Sequence, residues 1–377
     1  MTTSPFDADR GPDVVRRRRG GGSRKPDGAL RKRRSDPNAV VPDPEFSSYY
    51  GRQIVKPAPW KHEVPAYLFL GGVTAGSGLI GAFAHARGLD TLRRNSRYSA
   101  VVGVGLSSGA LIADLGRPER FLNMLRTVKL TSPMSVGTWI LAAFGASAGV
   151  AVASEIAGQL GIGQGDSKLQ RTLGMALDVA DPLSSLGSAA FAAPLAAYTA
   201  VLLSDTATPM WHEAYRELPY VFTGSALAAS SGLALLTSPT SQTAEVRRLA
   251  AFGALVELTA HKLMTRRLGE LAEPLEQGRA GRLSKAATAL TIAGGLGAAV
   301  LGRNRVGAAV SGLALLAGSA ATRFSIVEAG IESAKDPKYT VRSQKARLAA
   351  RRAKERLDHS ITTALGRPGQ GQRRRLT

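Results

Sequence analysis

Cysteine is absent from the 377-residue chain. That excludes disulfides, thiolate metal sites and cysteine-held iron–sulfur clusters in this polypeptide. Histidine is scarce: His62, His85, His212, His261 and His359 are all there are. Acidic residues are few, 28 against 49 lysines and arginines, which gives a net charge of +21. Such a balance ordinarily points to nucleic acid. Here, however, the cations sit in the two ends and in connectors between apolar blocks, so a lipid surface competes and no specific nucleic-acid partner is expected. Residues 1–59 lack apolar residues that could form a core. "VVRRRRGGGSRKPDGALRKRRSDPNAVVPDPEF" has the composition of a disordered segment. No long apolar run follows its arginines, unlike a secretory or twin-arginine signal. Residues 335–377 end in the same way, with "RSQKARLAARRAKERL" as a short basic helix.

What the chain does have is apolar runs and 42 glycines, which suit close helix–helix contact in lipid. A membrane helix needs roughly 20 mostly apolar residues. Eight stretches approach that, near 64–86, 98–113, 134–158, 180–203, 219–237, 247–264, 284–302 and 306–327. The second is short unless it begins in the preceding connector, and the last two are separated only by "GRNRV", a tight antiparallel hairpin. The fourth and eighth lack the polar residue every third or fourth position that a soluble amphipathic helix shows. The expected fold is therefore an all-α integral membrane protein of eight transmembrane helices between basic tails, with 1–59 and 335–377 flanking a membrane domain of 60–334.

Eight spans put both ends on one side. Loop cations barely decide which side, since Arg87, Arg93, Arg94 and Arg97 on one face are balanced by Arg117, Arg120, Arg126 and Lys129 on the other. The tails carry thirteen basic residues each, and the positive-inside rule then places both termini in the cytoplasm.

The chemistry-capable residues sort by side. "WKHEVPAYLFLGG" leads into the first span, "ADLGRPERF" and "SPMS" join the second to the third, "YTAVLLSDTATPMWHEAYRELPYVF" joins the fourth to the fifth, and "TRFSIVEAGIESAKDPKYTV" leaves the eighth. All lie on the side of the termini, whereas "GIGQGDSKLQ" and "TSPTSQTAE" read as plain polar loops. In "DLGRP", Gly116 and Pro118 end the helix, and Asp114 and Arg117 are placed to pair and remain buried, or merely to fix the elbow.

In order, "YLFLGGVTAG", "DLGRPERFLNML" with "SPMSVGTWIL", "YTAVLLSDTATPMW" and "AGIESAKDPKYTVRSQKAR" resemble the motifs of the NrfD family, the polysulfide-reductase-type membrane subunits, over about Trp60 to Arg347. The resemblance implies an eight-helix anchor, often two four-helix bundles, in a bacterial inner membrane. It also implies exchange of electrons and protons between an exchangeable quinone (menaquinone or ubiquinone) and an iron–sulfur partner, itself bound to a molybdopterin catalytic subunit such as a formate dehydrogenase. This chain would hold no haem: only His85 and His261 fall in spans, near opposite faces.

A quinone head group needs a hydrogen-bond donor at each carbonyl and a route for protons. Aligned on the family's first-helix motif, Tyr67 falls at a quinone-holding position. Glu63 lies one turn earlier on the same face, and Tyr198 is the candidate for the family's later tyrosine. The family pattern leads one to expect Asn and His there. Tyr67 and Tyr198 equally suit interfacial anchors, Glu63 a first-turn carboxylate, and Trp60 and Trp211 a membrane-interface belt. Glu257 and His261, four apart in the sixth span, share a face and form a structural pair or a proton relay. Glu155, Asp178 and Asp181 could extend that relay. Arg323 is expected to point to the working face and balance Glu63 or Glu328. No metal site is expected. A transporter, or an anchor without quinone chemistry, are the competing functions, though no internal repeat of the transporter type is evident.

Overall fold

The computed structural model describes residues 53–353, apart from Gly116, Pro118 and Arg120. The expected disordered N-terminal segment, the last part of the C-terminal tail, and the helix-ending roles of Gly116 and Pro118 lie outside the described residues. Every element in the described region is helical. In chain order the α-helices are α1 (Glu63–Ala86), α2 (Asp90–Asp114), α3 (Phe121–Met124), α4 (Pro133–Gln159), α5 (Lys168–Ser204), α6 (Pro209–Glu213), α7 (Leu218–Thr237), α8 (Ala244–Leu268), α9 (Gly278–Val300), α10 (Arg305–Lys335) and α11 (Pro337–Ala353), with 3-10 turns at Ala214–Arg216 and Gly269–Leu275.

Local chemistry sets the ends. Ser132 caps α4 by accepting from the Ser135 N–H, with Pro133 at the first helical position, where its missing N–H costs nothing. Ser167 caps α5 through the Gln170 N–H, and Asn304 caps α10 through the Val306 N–H. Arg305 donates to the carbonyls of Leu235 (2.7 Å) and Ser238 (3.0 Å), satisfying the carbonyl end of α7. Gly88 and Gly269 follow α1 and α8 at φ 65° and 54°, left-handed positions that a side chain would strain.

Six helices, α1, α4, α5, α7, α9 and α10, are long and apolar enough to cross a membrane. The other two long helices, α2 and α8, carry more charge: Asp90, Arg93, Arg94 and Arg97 in one, Arg247, Arg248, Glu257 and Lys262 in the other. The second helix does begin inside its connector, at Asp90. The fifth begins at Lys168, well before the expected 180, because Ser167 can nucleate it although the first turns are polar. It runs through Pro182 and Pro194 without a break.

Among the long helices, α1 packs on α2 and α5, and α4 on α2 and α5. Separately, α7 packs on α8 and α10, and α9 on α8 and α10. Contacts of α7 with α1 and α5, and of α10 with α1, join the two sets. The joins within the second set are close because glycines face backbone. A Cβ on Gly224 would sit 2.6 Å from the Glu257 nitrogen, and one on Gly312 would sit 2.4 Å from the Gly232 carbonyl oxygen. Large apolar side chains point outward: Val102, Leu106, Leu183, Leu186, Phe252, Leu255, Leu296, Val310 and Leu313 are all more than half exposed. A soluble protein would not leave so much apolar surface uncovered.

Candidate quinone-facing site

The described segment begins and ends at the side where α1, α4, α7 and α9 start. There the motif residues fold onto one another. In "SPMSVGTW", the Ser135 hydroxyl donates to the Thr127 carbonyl (3.1 Å) and accepts from the Lys129 N–H (3.0 Å), so the elbow between α2 and α4 is tied back to α4. In "LLSDTATPMW", the hydroxyl of Thr206 donates to the Leu203 carbonyl (2.8 Å) and accepts from the Thr208 N–H, closing a turn that drives α6 inward. Met210 and Trp211 are fully buried as a result. The Trp211 indole N–H donates to the Ile326 carbonyl of α10 at 2.8 Å, and Trp60 stacks on its ring at 5.3 Å between centroids and 22° between planes. Trp211 is thus a core residue and not an interfacial belt residue. The turn before it, rather than its place at a span end, decides its environment.

Tyr67 (5 % exposed) and Tyr198 (9 % exposed) belong to one apolar cluster with Val64, Leu68, Leu141, Phe144, Trp211 and Phe222. The Tyr198 ring lies flush on Gly137 of α4, where a Cβ would fall 2.1 Å from the ring. Glu63 opens α1; its Oε1 is 3.4 Å from the His62 Nε2, while its Oε2 is buried and unpartnered. The residues around it, Trp60, Lys61, His62 and Pro65, form one wall of a cavity of about 250 Å³. Phe324, Val327, Glu328 and Ile331 of α10, with Arg279, form the other. The cavity offers cationic donors on an apolar slot; Glu63, with its orphaned oxygen, follows the wall residue His62 but does not line the cavity itself. That donor set fits a quinone head group.

Asp114 and Arg117 do not join this cluster. Both are exposed, and they form no ion pair with each other. The chain leaves α2 in a tight turn, with the Leu115 N–H on the Ile112 carbonyl and the Arg117 N–H on the Leu115 carbonyl, which directs both side chains outward. Asp114 is nevertheless near enough to Glu63 for the two charges to interact.

Deeper in the second helix set, Glu257 and His261 line one cavity of about 10 Å³ with Ser284, Thr288, Thr291 and Thr322. Their spacing of four places both side chains there. Thr322 donates to Glu257 Oε1 at 2.6 Å, and Oε2 is buried without a partner. A polar cavity of that size has room for about one water. Arg323 balances neither Glu63 nor Glu328. It is 1 % exposed, donates to the Phe222 carbonyl (2.8 Å) and lies 3.8 Å above the Phe222 ring, while Glu328 is 3.6 Å from Arg279. Five residues of helix separate Arg323 from Glu328, so they point about 140° apart. Arg323 Nε and Nη1 have no partner, and its charge acts on Glu257.

The rim at this end is a set of ion pairs. Arg267 binds the Glu217 carboxylate at 2.5 Å and also donates to the Glu213 carbonyl. Helix α11 is held by Lys338 on Glu273 (2.9 Å), Arg342 on Glu270 (3.1 Å) and Arg347 on Glu213 (2.6 Å). Hydrogen bonds from Lys338 and then Tyr339 hold the Glu273 carboxyl below the usual carboxylate range. Among the described residues, no three His, Asp or Glu side chains are grouped to hold a metal.

The family model "Polysulphide reductase, NrfD" matches residues 53–274, more than half of the chain. The chain belongs to this family. Taken with its six spanning-length apolar helices, membership makes it an integral membrane protein. The NrfD match takes in the first three quoted motifs, and with them Glu63, Tyr67, Asp114, Arg117, Tyr198, Glu257 and His261. It stops before α9, so the resemblance of "AGIESAKDPKYTVRSQKAR", and Arg323 with it, lies beyond the matched segment. No curated protein matches the chain significantly.

The residues that sequence reasoning missed are at the opposite end. Arg97, counted above as a loop cation, is 4 % exposed inside the first helix set. Its guanidinium reaches Glu155 (3.0 Å), Asp181 (2.7 Å), Ser185 (2.9 Å), the Ala151 carbonyl (3.3 Å) and His85 (3.3 Å). Ionisable groups therefore gather at both faces and not at one. The available signal was the spacing of four between Arg93 and Arg97, which turns both to one side just before an apolar stretch.

Proposed function

We propose that this NrfD-family chain is the quinone-interacting membrane subunit of an oxidoreductase, passing electrons and protons between a quinone pool and an iron–sulfur partner linked to a molybdopterin subunit. The observation that carries the reading is the cavity of about 250 Å³ at the start of α1, where Lys61, His62 and Arg279 set donors on a largely apolar wall, His62 coming one residue before Glu63 and its unpartnered buried oxygen. The α1 side of the cavity lies in the segment that matches the family.

In this reading all eight long helices span the bilayer as two four-helix bundles, which the pairing of α1, α2, α4 and α5, and of α7 to α10, supports. Both termini face the cytoplasm. Burial of Arg93 and Arg97 against Glu155 removes two cations from the opposite connectors and strengthens the positive-inside argument. Asp114 and Arg117, exposed on the same face, are placed to meet the iron–sulfur partner rather than the quinone.

A bound quinone supplies two-electron, two-proton chemistry, accepting or giving hydrogen at its ring oxygens. The chain's own part is to hold the head group and handle protons. Glu63 accepts or returns a proton at Oε2, and His62 and Arg279 offer donors at the cavity wall. Tyr67 and Tyr198 do not line the cavity; they would act from the apolar cluster that its wall residues Trp60, Val327 and Ile331 adjoin. Glu257 and His261 on a single-water cavity, with the Arg323 charge acting on Glu257, form a proton path in α8 and α10. A transporter would need broken helices at the bilayer midplane in related positions, and α5 runs unbroken through both its prolines.

Tyr198→Phe removes one hydroxyl and keeps the ring packed on Gly137. It is expected to lower quinone-linked turnover of the purified complex by about 10²-fold, within the range for a positioned proton donor. The iron–sulfur and molybdopterin subunits should still co-purify in stoichiometric amount by mass spectrometry. Unchanged turnover would remove Tyr198 from the site, and a chain that purifies without such partners would contradict the subunit assignment.

A further inference from the structure

At the end away from the termini, α1 and α4 finish and α5 begins around a cavity of about 420 Å³. Its walls include His85 of α1, Ser154 of α4, Gly163 and Gln164 of the connection, and Asp178 and Asp181 of α5. Behind His85 and Asp181 sits Arg97. Beyond Arg97 lies a second cavity of about 10 Å³, bordered by Ser185 and Ser188. Four buried polar atoms at these two cavities lack a hydrogen-bond partner: Ser154 Oγ, Arg97 Nε, Ser188 Oγ and Asp181 Oδ1, the last in an ion pair with Arg97 but without hydrogen-bond geometry. Arg97 and Ser188 are each 4 % exposed. Buried polar atoms are nearly always satisfied, and here only water in the cavities can do it.

His85 is set to move a proton without leaving its place. Its Nδ1 lies 3.3 Å from Arg97 Nη2, a donor, and 3.5 Å from Asp181 Oδ2, an acceptor. With Nδ1 bare, the ring accepts from Arg97. With Nδ1 protonated, it donates to Asp181, and Arg97 keeps Glu155, Ser185 and the Ala151 carbonyl. The charged groups at this end come from four elements. Arg87 follows on α1, Arg93 and Arg97 come from α2 with Asp90 on Arg93, Glu155 from α4, and Asp178 and Asp181 from α5.

We propose that this is a water-filled proton-exchange site: a vestibule on the face opposite the termini brings water to His85, which takes up and releases a proton against Asp181 and Arg97. It does not depend on the quinone reading, which concerns the other end of these helices.

The absence of cysteine makes the test direct. Single-cysteine full-length proteins, Ser154→Cys in the vestibule and Val150→Cys on the outward apolar face, are placed in sealed vesicles of both orientations. They are treated with membrane-impermeant cationic or anionic methanethiosulfonates. Ser154→Cys should react from the face opposite the termini only, and at least ten times faster than Val150→Cys. Between about pH 8 and pH 5, where imidazole gains its charge, the ratio of cationic to anionic reaction rates at Ser154→Cys should fall about five-fold at low salt. That is the effect of one added charge about 8 Å away in water. His85→Gln, or His85→Asn should the first variant fail to insert, should abolish the pH dependence while leaving the labelling. An unreactive Ser154→Cys, or reaction from the termini side, overturns the vestibule. A pH dependence that survives loss of His85 overturns the exchange site.

Discussion

Arg97→Met is expected to destabilise the protein by about 3–5 kcal/mol, the range for breaking a buried ion pair from one side. The substitution keeps a flexible chain of similar length in the α1–α2–α4–α5 set. It removes the one group that bonds to α1, α4 and α5 at once, and leaves Asp181 without its 2.7 Å partner and Glu155 with Arg93 alone. The cost comes mainly from Glu155, whose side chain is nearly buried, whereas Asp181 on the vestibule wall is partly solvated. Arg97→Lys should recover part of the loss, because an ammonium restores the charge but not the planar fork that serves several acceptors. Thermal unfolding of the purified protein in detergent reads both variants. A loss below about 1 kcal/mol for Arg97→Met, the size of a surface pair, would mean the cluster contributes little to holding the four helices.

Trp211→Ala should cost a comparable amount, about 3–5 kcal/mol, since it empties a fully buried aromatic site. The indole fills the space between α6 and α10 so closely that a Cβ on Gly330 would fall 1.9 Å from its nitrogen. Trp211→Phe should cost much less: it gives up the hydrogen bond to the Ile326 carbonyl, worth about 1 kcal/mol net, with some packing. Trp60 stacks on Trp211 and borders the cavity at the start of α1, so Trp211→Ala should also weaken quinone-linked turnover in whatever protein remains folded. Equal melting temperatures for the Ala variant and the parent would show that the "TATPMW" turn does not anchor α6.

The helices were legible in the sequence because hydrocarbon demands long apolar runs: the eight long helices overlap the eight expected stretches, and six of them are apolar enough to cross a membrane. Their ends were less legible. A hydropathy run marks the apolar part, whereas the helix continues as far as its caps allow: α5 starts at Ser167's cap rather than at residue 180, and α10 runs on to Lys335. The pairing of Glu257 with His261 at one cavity follows from spacing alone. What Arg323 touches does not, because its partner is a backbone carbonyl on another helix. Arg97 was hidden for the same reason. Its acceptors come from three helices distant in sequence, and a residue count by side treats it as a loop cation. Asp114 and Arg117, close in sequence, invited pairing; the turn at Leu115 leaves both exposed and unpaired with each other.

Photoaffinity labelling with an azido-quinone, applied to membranes that contain the assembled complex and mapped by peptide mass spectrometry, tests the quinone assignment most directly. Adducts are expected on the peptides around Trp60–Tyr67 and on the facing stretch of α10 at Phe324–Ile331, and excess unlabelled quinone should suppress them. Labelling that ignores the competitor, or adducts confined to the opposite ends of these helices, would contradict a quinone site at the start of α1.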